Sequence, residues 1–266
     1  MTETTVVPAA PSRSLVQRAP DLMVWGAVIL LLIIAFKPVE MGNFGKLFTN
    51  SANMREFAGD LMNPDFTQWK LFVGQMWLTV QIAMWGTFLA VLLAIPFGLA
   101  CSRNVAPIWL QQPMRLLMNL LRSVPDLVIG TLFLVAVGLG PFAGVMAIAI
   151  NTSAVLAKLF SEAVEATDRG PVEGVRATGA ARLHEIVWGI LPQVAPLWTS
   201  YALYRFESNS RSATVLGLIG AGGIGQRLFE AMGAFNYREL STIIIVIIVA
   251  VTLIDLLSQA MRSRLL

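Results

Sequence analysis

Long uncharged blocks alternate with short polar connectors along this chain. Leu71–Ala100 carries no Asp, Glu, Lys or Arg, and neither does Thr242–Ile254. A bilayer core is about 30 Å thick, so about 20 apolar residues cross it as a helix. A membrane β-barrel would instead show alternating segments of about ten residues. The pattern predicts an all-α, polytopic membrane protein with about six transmembrane helices. They fall near 21–38, 71–100, 115–138, 143–160, an irregular fifth region from about 188, and 240–260. The fifth is interrupted by Pro192, Pro196 and a later glycine cluster. The last is rich in Ile and Val but too long for a buried strand.

Composition agrees: 56% of the 266 residues are hydrophobic and 13% charged, against about 25% charged in soluble domains. The net charge of +3 does not point to nucleic acid. The basic residues flank the apolar blocks, where they set topology in the lipid bilayer. With the N-terminus inside, the inner segments hold Arg13, Arg18, Arg103, Arg115, Arg169, Arg176, Arg182, Arg262 and Arg264, while the turn at 138–144 holds none. Both termini are therefore expected in the cytoplasm. Residues 1–20 read as a disordered cytoplasmic tail, followed by one membrane domain over 21–266. The run Leu22–Phe36 lacks a small-x-small cleavage pattern and reads as a retained helix. The single cysteine, Cys101, excludes an internal disulfide, and His184 has no metal-ligand spacing around it.

In the second helix Gly86, Ala90, Ala94 and Gly98 recur every four residues. Such a stripe lets another helix approach closely, and plain helix packing explains it. Pro96 is a candidate kink.

One long polar segment interrupts the second half, at about 161–187. Pro171 suits the first position of a helix, which places Glu173 in the first turn, where it complements the helix dipole. Gly179 suits the left-handed position that ends the helix. A helix over 171–178 is too short to stand alone in water and needs a surface to dock on.

Here the chain resembles the permease subunits of ATP-binding cassette importers. Their coupling loop reads Glu-Ala-Ala, three residues, Gly, nine residues, Ile-x-Leu-Pro. Glu173, Gly179, Leu191 and Pro192 fall at that spacing, while Gly174, Val175 and Gly189 depart from it. The segments GPVEGVRATGA (170–180), RSVPDLV (122–128), VGLGPFAGV (137–145) and SYALYRFESNSRSATVLGLIGAGGIG (200–225) resemble the phosphonate-permease branch. The resemblance covers about 65–266. It implies a type I importer architecture in the bacterial inner membrane, a homodimer with the pathway on its two-fold axis, and alternating access. It also implies two ATPase subunits that bind ATP and Mg, since this chain has no P-loop and binds no cofactor itself. An extracytoplasmic phosphonate-binding protein would deliver the solute. Glu173, Arg176, Gly179, Leu191 and Pro192 would form the ATPase contact, and the chain itself would not be an enzyme.

Charges inside a membrane are costly and mark functional candidates. Arg122 and Asp126 are four apart on the expected third helix. Glu207 and Arg211 are four apart on the fifth, and Arg205 shares a face with Asn209. Each pair either neutralises itself or lines a path for an oxyanion, whose tetrahedral oxygens suit guanidinium forks. Gly220, Gly222 and Gly225 fit the dinucleotide fingerprint but have no strand before them; they read as a hinge or sharp turn. Alternative readings are a permease of the same class for methionine or an inorganic oxyanion, or an ion-coupled secondary transporter, which would show repeats.

Overall fold

In the computed structural model of this chain, residues 15–49 and 51–264 are described. They fall into two compact units, divided between Ala58 and Gly59. The first unit contains helix α1 (Leu15–Phe36), a short 3-10 turn and the small helix α2 (Gly45–Thr49); α3 (Ser51–Leu61) follows. Helix α1 begins at Leu15, inside the stretch expected to be a polar tail; the rest of that expectation, residues 1–14, lies outside the described residues. Its apolar part, Met23–Phe36, is shorter than a full untilted span.

The second unit is built on α4 (Trp69–Cys101) and α7 (Pro141–Glu165). The small-residue stripe of α4 is where they meet. Ala90 and Ala94 are fully buried. A Cβ on Gly86 would stand 2.7 Å from Ile148, and one on Gly98 would stand 2.8 Å from Phe160. Both contacts join positions 62 apart, so α4 and α7 run parallel. Helix α10 (Leu191–Leu216) lies antiparallel to them. Its start packs with Phe160 and Cys101, and its end with Ile82 and Ala147. The Trp198 ring stacks on Phe160 at 4.4 Å between centroids. Helix α12 (Tyr237–Arg262) packs Leu240 and Ile243 against Phe72 and Met76 of α4.

The expected third span is broken. It consists of α5 (Ile108–Ser123) and α6 (Asp126–Val137), bent by 89° at Val124–Pro125. Pro125 has no N–H and disfavours helix at the residue before it. The carbonyl of Val124 is instead satisfied by the Asn151 amide at 3.1 Å. Among the described residues, three helices (α4, α7 and α12) are long and apolar enough to cross a membrane, or four if the bent pair is one span. Helix α10 is long enough but carries Arg205, Glu207 and Arg211 in its middle.

The connectors sort to two ends. At one, Arg182 donates to the Val105 carbonyl at 2.7 Å, and the Arg103 N–H donates to Glu165 at 2.6 Å. This joins 102–107 to the polar segment after α7. At the other, Asp65 meets Arg238, and Gly140 meets Gly220, each backbone to backbone at 3.1 Å.

Candidate functional site

The polar segment holds helix α8 (Arg169–Ala177). It starts two residues before Pro171. Asp168 is its cap, with a side-chain oxygen accepting from the Gly170 N–H at 3.1 Å. Glu173 therefore sits in the second turn, not the first, and the dipole argument for it falls. An Asp three residues before Pro171 was the missed signal, since Asp is a preferred N-cap. Gly179 does end the helix in a left-handed conformation, φ +78°. Beyond it lies the one-turn helix α9 (Arg182–His184).

Between α9 and α10 the chain widens into a π-turn, Glu185–Ile190. Pro192 supplies the cause: its ring clashes with the carbonyl four residues back and its nitrogen cannot donate. At Gly189 the backbone of α8 comes so close that a Cβ would lie 2.9 Å from Val172 Cα. The departure from the family pattern at this position is thus a packing requirement.

Gln193 ties the two parts together, and sequence reasoning missed it. Its Oε1 accepts from the Asp168 N–H at 3.0 Å. Its Nε2 donates to the Asp168 carbonyl at 3.2 Å and to the Gly189 carbonyl at 2.6 Å. Arg176 reaches Glu185 with two bonds of 2.9 Å each. These bonds hold the Glu185 carboxyl below its ordinary range and the Arg176 guanidinium above its own. Leu191 and Pro192 open α10, and the Leu191 N–H donates to the Ile186 carbonyl. A cleft of about 260 Å³ lies behind α8, lined in part by Glu165, Arg169, Glu173, Arg176 and Glu185.

The second cluster lies halfway along α10. Asn209, 1% exposed, accepts from Thr152 Oγ1 at 3.0 Å and donates to Thr87 Oγ1 at 2.8 Å. Arg205 donates to Thr152 and Asn209 at 3.3 Å each, while its Nε is buried without a partner. The expected Arg205–Asn209 and Glu207–Arg211 pairs are both present. Glu207 is buried and also accepts from Arg262 of α12 at 3.1 Å, a long-range partner that no local spacing reveals.

The Arg122–Asp126 pair is not formed. The break at Pro125 puts Arg122 in the last turn of α5 and Asp126 in the first turn of α6. Asp126 instead lines a cleft of about 370 Å³ with Ser208, Arg211 and Ser212.

The glycine cluster makes a tight turn. Gly220, Gly222 and Gly223 have φ of +108°, +79° and +74°, a region that favours glycine. Gly225 is needed for a different reason: a Cβ there would lie 1.9 Å from the Thr214 carbonyl. After the turn, α11 (Ile224–Gly233) begins with its first N–H on Thr79 Oγ1 at 2.9 Å.

Residues 90–265 match the family described as binding-protein-dependent transport system inner membrane component. The phosphite transport system permease protein of Stutzerimonas stutzeri is 37% identical over 223 residues, 82% of this chain and 80% of that one. A putative cryptic phosphonate transport system permease protein of Escherichia coli K12 is 57% identical over 119 residues, 45% of this chain and 98% of that one. Among solved structures, an inward-facing form of the MetNI methionine ABC transporter aligns with TM-score 0.65 at 20% identity, over 74% of this chain and 96% of that one. That identity establishes a shared fold, the type I importer fold expected from the sequence. The chain belongs to the family of binding-protein-dependent transport system inner membrane components and is a membrane permease subunit of an ATP-binding cassette importer.

Proposed function

We propose that this permease moves a phosphonate or related phosphorus oxyanion into the cell, and that its pathway runs past the charged middle of α10. The observation that carries the reading is the cleft lined by Asp126, Ser208, Arg211 and Ser212. The rest of its lining is apolar, Pro125, Leu127, Val215 and Leu216, so Asp126 and Arg211 place charge in a greasy groove, which is costly against lipid and tolerated against water or protein. Arg211 lines it and shares the buried carboxylate of Glu207 with Arg262 of α12. Guanidinium forks match the oxygens of a tetrahedral anion. The names of the relatives, phosphite and phosphonate permeases, support the same solute class.

A second copy of the chain completes the pathway at a two-fold axis. Two ATPase subunits, which bind ATP and Mg and carry out hydrolysis, dock on α8 and the Gly179 turn, with Glu173 and Arg176 at the contact. Leu191 and Pro192 pass their motion into α10. Gly220, Gly222 and Gly225 form the pivot at the opposite end. An extracytoplasmic binding protein delivers the anion there. The end holding α8 faces the cytoplasm, because Arg103, Arg115, Arg169, Arg176 and Arg182 gather on it. Both termini are on that side.

The test is reconstitution with the ATPase and the binding protein in lipid vesicles. Phosphite or methylphosphonate should stimulate ATP hydrolysis and be taken up, with methionine a poor competitor. Competition by methionine, or uptake without an ATPase, would overturn the assignment.

A further inference from the structure

Glu207 holds two arginines that differ in freedom. Arg211, one turn along α10, reaches Oε1 at 3.0 Å and has a half-exposed side chain on the cleft with Asp126, Ser208 and Ser212. Arg262, from the last turn of α12, reaches Oε2 at 3.1 Å with a side chain only 22% exposed. A second contact pins it, because its guanidinium lies 5.7 Å over the Tyr204 ring. The helix beneath it is fastened too, with Ser258 Oγ donating to the Leu203 carbonyl at 3.2 Å.

We infer that Arg262 is a positioning residue for transport: it keeps Glu207 neutralised so that Arg211 can leave that carboxylate and take an oxygen of the passing anion. This rests on the reading that the α6–α10 cleft is the pathway. A buried carboxylate stripped of every cation is strongly disfavoured. With Arg262 absent, Glu207 would therefore hold Arg211 fast. With Arg262 present, the exposed member of the pair is the exchangeable one. Ser208 and Ser212, one turn apart beside Arg211, offer hydroxyl donors to the same anion. The step is an exchange of hydrogen bonds, with no proton or covalent bond transferred. It also separates two roles that a count of charges merges, since Glu207 is a support for the pathway and Arg211 is its anion contact.

The experiment uses the full complex in vesicles, with phosphite, phosphate and methylphosphonate as probes. Membrane insertion and copurification with the ATPase are measured alongside. R262Q should assemble, keep its basal ATP hydrolysis and lose about tenfold in uptake, the size of one charge-assisted bond. R262K should recover most of it. Neutralising the carboxylate as well, in the E207Q–R262Q double variant, should restore uptake above R262Q alone, because nothing then detains Arg211. A purely structural tie predicts the reverse, since the double variant restores no bond. Wild-type uptake by R262Q, or a double variant as poor as R262Q, overturns the inference. If R262Q does not assemble, the double variant decides alone: uptake that R211Q then abolishes supports the inference, and no uptake overturns it. The pathway reading fails separately, if R211Q in the native background transports normally.

Discussion

Arg176 grips Glu185 across the Gly179 turn with two parallel bonds of 2.9 Å. The pair closes α8 back onto the π-turn that leads into α10. The carboxylate is held below its ordinary range, first by its side-chain bond to Arg176. A depressed folded value means that the contribution is present above the ordinary glutamate pKa of about 4.3. It is lost as pH falls through the lower folded value. Hydrogen exchange should therefore show the amides of 176–185 protected at neutral pH and losing protection progressively as pH falls below the ordinary glutamate value. Glu185→Gln should show the loose state at neutral pH, with a flat pH profile.

Gln193 ties the cap of α8 to the start of α10; if α8 is the ATPase contact proposed above, its loss should uncouple hydrolysis from transport. Gln193→Leu keeps volume but removes three hydrogen bonds. The expected result is ATP hydrolysis that continues while uptake falls by about tenfold, for a coupling change near 1.4 kcal/mol. A parallel fall in both rates, at constant ratio, would mean that the bonds only stabilise the fold.

Two glycines should answer oppositely to alanine. At Gly225 the added carbon would lie 1.9 Å from a backbone oxygen. Backbone cannot yield as a side chain does, so Gly225→Ala should cost about 3 kcal/mol or fail to fold. At Gly174, inside α8, nothing lies within 4 Å. Gly174→Ala should stabilise that helix by about 0.5–1 kcal/mol. Thermal unfolding of the detergent-solubilised chain separates the two. Weaker ATPase copurification by a more stable Gly174→Ala would place that face at the partner.

Asn209→Ala strips Thr87, Thr152 and Arg205 of a shared partner at once. Bonds between membrane helices average only about 0.6 kcal/mol each. Two of the three cross between helices, to Thr87 and Thr152, and predict a loss of about 1 kcal/mol in thermal unfolding, with the bond to Arg205 inside α10 adding to it.

The elements that follow from local chemistry were legible in the sequence. The stripe from Gly86 to Gly98 announced a close helix contact, and Gly179 announced the end of α8. The i,i+4 pair of Glu207 with Arg211 was readable for the same reason. Failures came where distant segments decide. Arg262 lies 55 positions from Glu207, and no periodicity connects them. At Arg122 and Asp126 the spacing suggested a helical pair, but Pro125 between them breaks the helix. Pro171 drew the start of α8 two residues too late, because a proline tolerated at the third position resembles one favoured at the first.

The constant offset between α4 and α7 has a consequence for heredity. Where Gly86 faces Ile148 and Gly98 faces Phe160, bulk on one helix leaves room only for hydrogen on the other. Across related permeases these sites should drift in couples, a larger residue at one answered by a smaller residue at its opposite. A single unanswered enlargement at either glycine should be purged by selection before the transported solute ever matters.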